Sequence, residues 1–202
     1  MSKAEVIEDI LKLELEMFKQ VHTAAPISCQ ENTDAFVLVR GAAFANWSEQ
    51  TLACYLQDLQ AARQEGRNLM TEKYARMDNL IPCLNDSPLI DDIMAIEIEW
   101  EKEVRAKYPH VVGRPFQEGA ETEAEMAHFK NYLRSELETY SDDTLLSYYT
   151  NLLAAVGNSE NLAEKTFAAI FRRRGFSSLA EAEAYFTRVE TGKRNIVKRR
   201  KK

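Results

Sequence analysis

The chain has 202 residues, 45% of them apolar, and a formal charge of −6. This length suits one large domain or two small ones, and the apolar fraction is ample for a packed core. No run of about 18 apolar residues is present, which excludes a membrane-spanning helix, and the first residues lack the charged-then-apolar pattern of a secretion leader. We therefore expect a globular cytoplasmic protein.

Cysteine spacing and short motifs exclude several common kinds of site. Cys29, Cys54 and Cys83 are widely separated and fit no metal-binding or redox pattern, so we expect reduced thiols. The sequence contains no nucleophile motif, glycine-rich phosphate loop or dinucleotide fingerprint. The common cofactor-binding folds are therefore not expected.

The charge is unevenly distributed along the chain. Residues 192–202 contain seven Lys or Arg and no acid, which leaves 19 basic and 32 acidic residues in the body. In one interpretation this basic tail contacts nucleic acid or another anionic partner, because clustered cations bind phosphate. In the other, which the absence of interleaved aromatic residues favours, the tail is disordered and offsets the acidic body.

Scarce glycine and proline predict an all-α fold. Seven glycines and five prolines lie almost wholly at expected helix ends, which indicates a multi-helix bundle of about eight or nine helices. Ser2, with an acid three residues later, forms a capping box for a first helix that ends near Thr23. A second helix begins near Asp34, and a third lies between Ser48 and Gly66.

The middle of the chain continues this pattern. Residues 67–77 are expected to form a short, very polar helix or a turn, and a long helix is expected to begin at Pro88 and end at Tyr108. Residues 111–119 are rich in glycine and proline and predict a loop. Thr122 is the expected cap of the next helix.

After residue 140 the sequence predicts three helices with clean apolar stripes and no buried charge. The helices end at Gly157, Gly175 and Gly192. The stripe of the first consists of Leu145, Leu146, Tyr149, Leu152, Leu153 and Val156. We interpret residues 141–191 as a C-terminal helical module, either separate from or part of the same domain as a core of residues 1–140.

Two cations lie in unusually apolar surroundings. Residues 35–47 are apolar almost all round, so we expect this helix to be buried on every side. Arg40 lies inside it and, because a guanidinium stays protonated, needs a carboxylate or an anionic ligand within reach. Lys73 lies beside Tyr74 on a mostly apolar face, close to Arg67.

Three predicted helices each place a glutamate in the middle of the apolar stripe. At 100° per residue, Glu14, Glu97 and Glu136 fall among aliphatic and aromatic side chains. A buried carboxylate must be protonated, paired with a cation or bound to a metal. Each alone is more often a carboxylate at the core edge paired with arginine, but their coincidence on three helices favours a shared polar site.

We therefore expect a polar site built from Glu14, Arg40, Lys73, Glu97 and Glu136. Glu97 or Glu136 is the expected general base or metal ligand, with Glu14 as the third candidate catalytic carboxylate. Arg40 and Lys73 are expected to hold an anionic group such as a carboxylate or phosphate. Three further candidate ligand-binding residues are Arg67, Tyr74 and Trp100.

A divalent metal is an open alternative for this site. Coordination by carboxylates alone suits Mg²⁺ or Mn²⁺, because these ions prefer oxygen ligands. A ferritin-like di-iron site needs Glu-x-x-His pairs on two helices, and only Glu125 with His128 matches that spacing. One partial match is a weak signal.

Several short stretches match a known family pattern. They are ELEMF at 14–18, SCQ at 28–30, FANWS at 44–48, GRNLM at 66–70, EKYARM at 72–77, EIEW at 97–100 and ELETY at 136–140. Over about residues 14–157 the chain thereby resembles a bacterial domain-of-unknown-function family, number 4125. The resemblance implies an all-helical fold but no assigned activity, so no catalytic residue is carried over from it.

Two functions of different classes follow from these patterns. The preferred one is recognition of a small polar or anionic metabolite, with acid–base or metal-assisted conversion at the buried carboxylates. The alternative is a non-catalytic helical interaction protein whose buried ions specify packing and whose basic tail contacts a partner or nucleic acid. The sequence decides neither whether the protein is an enzyme nor its oligomeric state.

Overall fold

The computed structural model of the chain describes residues 1–21, 33–112 and 120–200. Within these ranges the backbone forms ten helices and no strand, which confirms the all-α prediction. The helices are α1 (Lys3–Lys19), α2 (Thr33–Phe44), α3 (Glu49–Gln64), α4 (Leu69–Met77), α5 (Leu89–Lys107), α6 (Pro109–Val112), α7 (Ala120–Leu137), α8 (Asp142–Gly157), α9 (Leu162–Arg173) and α10 (Leu179–Arg200). None of these helices is both long and apolar enough to cross a bilayer.

Local capping residues explain where several helices begin and end. The Ser2 hydroxyl accepts a hydrogen bond from the Glu5 N–H, and the Glu5 carboxylate accepts one from the Ser2 N–H, which completes the predicted capping box. Ser48 and Ser141 cap α3 and α8. Just after α3, Gly66 has a φ of +70°, a left-handed conformation that glycine adopts without strain.

Two boundaries in the middle of the chain differ from the prediction. The short α6 includes the first two residues of the predicted loop 111–119, and residues 113–119 lie outside the described part. α7 begins at Ala120, so Thr122 lies inside the helix and its prediction as the cap is wrong. At the start of the chain, α1 ends at Lys19, about four residues before the predicted end near Thr23, and Thr23 itself lies outside the described residues.

The last helix is longer than predicted. α10 continues through Gly192 to Arg200, so the helix end predicted at Gly192 is wrong and the backbone of the basic tail is helical through Arg200. A single glycine inside a helix costs only about 1 kcal/mol relative to alanine, so glycine alone does not end one.

Two hydrophobic clusters hold the helices together. The main cluster joins α1 to α5 with α7, α8 and the start of α9, and its most enclosed side chains include Ile10, Tyr55, Ile93, Leu137 and Leu145. A smaller cluster joins α9 and α10 to α5 and contains Val104, Ile170, Phe171, Leu179 and Ala182. The α8 side chains therefore share the main core with α1 and α3, and the division at residue 140 stays a prediction.

Some predicted apolar faces are open to solvent. Val39 on α2 is 45% exposed, so the prediction of burial on every side of that helix is wrong. On α8 one edge of the predicted stripe is exposed, at Leu146, Leu153 and Val156. Glu190 on α10 is buried, so the predicted absence of buried charge in the C-terminal part is also wrong. Periodicity identifies an apolar face but not whether another element covers it.

Candidate functional site with a buried ion-pair network and an aromatic cavity

Glu14 is fully buried and paired with Arg40, which is one of the alternatives that its position in the α1 stripe left open. The Arg40 Nε atom donates to Glu14 Oε2 at 2.9 Å and Nη2 donates to Oε1 at 2.5 Å. This two-point contact matches the planar guanidinium to the planar carboxylate. The Tyr55 hydroxyl adds a third hydrogen bond, 2.6 Å from Glu14 Oε1. α1, α2 and α3 are thereby joined at one carboxylate.

Glu136 is the second carboxylate of the same network. Arg40 Nη1 donates to its Oε1 at 2.7 Å, and Lys73 Nζ donates to its Oε2 at 2.8 Å. The Tyr140 hydroxyl donates to Oε1 at 2.8 Å. Arg40 therefore connects the carboxylates of α1 and α7, and Lys73 brings α4 to the same point.

The network is balanced in charge, with two carboxylates and two cations. Aromatic rings enclose the cations, because Lys73 Nζ lies 3.6 Å from the Tyr132 ring centroid and the Arg40 guanidinium carbon 4.7 Å from that of Phe44. Removing one partner of such a buried pair leaves an uncompensated charge at a cost of about 3–5 kcal/mol.

The network determines the protonation states of its members. Burial alone would raise the pKa of Glu136, but the charges of Arg40 and Lys73 outweigh burial and hold that pKa well below its usual range. Burial lowers the pKa of Lys73 although Glu136 opposes the change. Glu136 is therefore ionised at neutral pH and does not accept a proton there.

A cavity of about 220 Å³ lies beside the network, among α2, α5, α7, α8 and α9. Arg40 and Glu136 line it, together with Glu97 and Glu101. Its aromatic lining consists of Trp47, Phe129, Tyr132, Tyr140, Tyr148 and Phe167. An apolar cavity with a few convergent polar groups is the usual form of a small-molecule site.

Glu97 lies in this cavity but outside the ion-pair network. Its Oε1 accepts a hydrogen bond from the Tyr148 hydroxyl. Burial raises the pKa of Glu97 to about 7, the bond from Tyr148 opposes that rise, and the nearby carboxylates of Glu101 and Glu136 add to it. No ion pair joins Glu97 to a cation in the part of the chain that the structure describes. Glu97 therefore changes charge near neutral pH.

Glu101, one helical turn further along α5, is paired. Arg105 Nε donates to Glu101 Oε1 at 2.7 Å, and Arg105 Nη1 donates to Glu125 at 2.8 Å. Glu125, the acid of the partial Glu-x-x-His match, thus forms an ion pair with Arg105. Among the described residues, no group of three or more His, Cys, Asp or Glu side chains could hold a metal ion.

The remaining predicted residues lie outside the cavity lining. Arg67 is exposed and pairs with Glu65 and Glu72. Tyr74 is half-buried, and its ring stacks on that of Phe18. Trp100 is buried in the main core. The structure therefore unites Glu14, Arg40, Lys73 and Glu136 and adds Glu97 through the cavity. Tyr74 borders the network, because the Lys73 Nζ atom lies 5.7 Å from its ring centroid. Arg67 and Trp100 lie apart from both the network and the cavity.

Several tyrosines of the site were not among the predicted site residues. Tyr132 and Tyr140 lie four residues before and after Glu136, so helical spacing offered a signal for both. Tyr55 and Tyr148 reach Glu14 and Glu97 from other helices. No spacing in the sequence indicates those two contacts.

Comparison with known proteins identifies the family. The model of the family described as "Protein of unknown function (DUF4125)" matches residues 4–184. The chain belongs to this family. No curated protein and no solved structure matches the chain. The resemblance expected over residues 14–157 is thereby confirmed, and the family spans the whole network and cavity.

Proposed function

We propose that this member of the DUF4125 family binds a small polar organic molecule in the cavity beside the ion-pair network. The observation that carries the proposal is the cavity of about 220 Å³, whose lining combines aromatic rings with Arg40, Glu97 and Glu136. This volume lies below that of most sites for drug-sized ligands, so it suits only a small molecule, which the polar groups would orient.

The network supports binding chiefly by making the side of the cavity that Arg40 and Glu136 line rigid. Arg40 and Lys73 each already contact a carboxylate, so neither charge is available without breaking a buried pair. The expected capture of an anionic group by these two cations is therefore less favoured than recognition of a neutral or cationic molecule. A network with all members hydrogen-bonded keeps the adjacent surface in one conformation.

Glu97 is the residue we assign to any acid–base step in the cavity. A general base works best when its pKa lies near the working pH, and the pKa of Glu97 is about 7. Glu136 does not suit this role, because its pKa is held well below the usual range. Any conversion of the bound molecule would thus depend on Glu97, while Glu14 and Glu136 hold Arg40 in place beside the cavity.

The proposal is tested by blocking the cavity. Ala163 lines it, whereas Ala154 on α8 is exposed to solvent. Small polar molecules would be screened for a rise in the melting temperature of the native chain, and the effective ones tested on Ala163→Leu and Ala154→Leu. We expect the rise to vanish in Ala163→Leu and to persist in Ala154→Leu. A screen without effect, or a rise that survives in Ala163→Leu, would contradict the proposal.

An interaction role is the second candidate. Its specific support is the exposed apolar edge of α8 and the seven basic residues in 192–202. Deleting residues 193–202 should then weaken binding to a DNA duplex, with a smaller dependence of affinity on salt than in the full chain. Equal affinity and salt dependence with and without these residues would remove the nucleic-acid form of this candidate.

A further inference from the structure

We propose that the molecule bound in the cavity is a small protonated amine, with the Glu97 carboxylate as its counterion and the rings of Trp47 and Tyr148 beside it. This inference rests on the proposed function and gives its ligand a chemical class. It also reverses the charge expected from the sequence, which pointed to an anion.

The charges around the cavity favour a cationic ligand. Arg40 lies between Glu14 and Glu136, and Glu136 is also held by Lys73. Glu101 is paired with Arg105. Glu97 is thus the cavity carboxylate without a cation among the described residues. An anionic ligand would be repelled by it, whereas an ammonium group would neutralise it.

The Glu97 carboxylate can accept a further hydrogen bond. The Tyr148 hydroxyl donates to Oε1 and so holds the carboxylate in place. No described residue donates a hydrogen bond to Oε2. An ammonium group carries three donors and no acceptor, so it complements this free oxygen. A ligand carboxylate or phosphate would offer only acceptors.

The aromatic lining of the cavity also favours a cation. The rings of Trp47 and Tyr148 lie 4.8 Å apart and both line the cavity. Tyr132 already shows how these walls accommodate a cation, because the Lys73 ammonium lies 3.6 Å from its ring centroid. Aromatic rings attract cations through their quadrupole, most strongly where water is excluded.

The proposal predicts a dependence on pH. The other charged or titratable groups that line the cavity are Arg40, Glu101, Tyr132, Glu136, Tyr140 and Tyr148. Arg40 stays protonated, Glu136 stays ionised, and burial raises the pKa values of the three tyrosines. An alkylamine stays protonated to roughly pH 10, like a lysine side chain. Amine affinity should therefore increase between pH 6 and pH 8, as Glu97 ionises.

The test uses three probes of one shape and different charge, namely cyclohexylammonium, cyclohexanol and cyclohexanecarboxylate. Binding to the native chain would be measured by calorimetry or ligand-observed NMR at pH 8 and pH 6. At pH 8 the ammonium probe should bind about tenfold tighter than the alcohol and the carboxylate, a difference typical of one charge-assisted contact. At pH 6 its affinity should be about five- to tenfold lower, while that of the alcohol is unchanged.

Matched variants assign the effect to Glu97. In Glu97→Gln the ammonium probe should lose both its preference over the alcohol and its dependence on pH. Glu99→Gln is the control, because Glu99 lies on the same helix, is exposed and pairs with Lys102. The control should behave as the native chain does. Circular dichroism would verify that each variant folds, and the pH series on the native chain remains a test in any case.

The outcomes separate this inference from the proposed function. Stronger or equal binding of the alcohol or the carboxylate, abolished by Ala163→Leu, would overturn the amine while supporting a polar-molecule cavity. An ammonium preference that survives in Glu97→Gln would overturn the role of Glu97. If none of the three probes binds, the proposal of an amine ligand is wrong. The wider screen with Ala163→Leu would then still test the proposed function by itself.

Discussion

At the scale of single residues, Arg40 has the widest reach in the site. Its guanidinium contacts Glu14 on α1 and Glu136 on α7 while its own helix, α2, carries it between them. A lysine could not replace it, because an ammonium lacks the planar fork that contacts Glu14 at two points. Burial of Glu14 and Glu136 is compatible with folding chiefly because Arg40 is present.

Replacing Arg40 should therefore destabilise the fold strongly. In Arg40→Met, Glu14 keeps only the Tyr55 hydroxyl and Glu136 keeps Lys73, so one buried charge is uncompensated. We expect the free energy of unfolding to fall by about 3–5 kcal/mol in urea denaturation. The control is Arg67→Met, an exposed pair whose loss should cost less than about 1 kcal/mol. Similar losses in the two variants would contradict the assignment.

Glu97 should affect stability in the opposite direction. Its folded pKa of about 7 exceeds the unfolded value, so the folded state binds the extra proton and loses stability as pH rises from about 4.5 to about 7. In Glu97→Gln the side chain does not titrate, so the variant does not lose this stability as pH rises. We expect the variant to gain about 2–3 kcal/mol relative to the native chain between pH 5 and pH 8. A difference that does not change with pH would show that Glu97 titrates normally.

At the scale of secondary-structure elements, backbone conformation at the helix ends matters more than the identity of each exposed side chain. Gly66 and Gly157 both lie at the ends of helices, and neither has another group close to where a Cβ would lie. Their backbone conformations differ: Gly66 is left-handed, with a φ of +70°, whereas Gly157 is helical and lies in the last turn of α8. A Cβ atom would therefore have room at both positions, and the two glycines differ only in backbone conformation.

Alanine substitutions should separate these two glycines. Gly66→Ala places a Cβ in the left-handed region and should cost about 1–2 kcal/mol. Gly157→Ala should be neutral or stabilising by up to about 1 kcal/mol, because alanine favours a helix. Melting temperatures of the two variants test this. Equal shifts would mean that the turn after α3 adapts without strain.

At the scale of the whole molecule, the cavity and the network depend on helices from both halves of the chain. Glu97 on α5 receives its hydrogen bond from Tyr148 on α8, and Asn46 after α2 donates to Thr166 on α9 at 2.9 Å. Leu145 and Leu152 of α8 are fully enclosed in the main core. Residues on both sides of position 140 therefore contribute to the same core and the same cavity.

We expect the chain to unfold as one cooperative unit. A fragment of residues 1–140 would expose the core surface that Leu145 and Leu152 cover, and it should lack the sharp thermal transition of the full chain. Near-ultraviolet circular dichroism and calorimetry would measure this. Two separate transitions in the full chain, or a folded fragment, would instead support a separate module at 141–191.

The sequence predicted much of the site because burying a charge is costly enough to be visible in a helical pattern. Glu14 and Glu136 in apolar stripes required protonation, a cation or a metal, and Arg40 on an apolar face required a carboxylate or an anionic ligand. Their pairing in the structure meets that requirement. Arg67 and Trp100 were less constrained, because an exposed arginine or a core tryptophan satisfies the same local pattern.

By itself, the sequence determined the helices and the side chains that need a buried partner, since caps, periodicity and the cost of desolvation act locally. Only the tertiary structure decided which carboxylate would remain outside the ion pairs. Glu97 and Glu136 occupy equivalent stripe positions. Of these two, Arg40 reaches Glu136, whereas Glu97 receives its hydrogen bond from Tyr148. The difference arises from how α2 and α8 pack against α5 and α7, and helical periodicity contains no information about that packing.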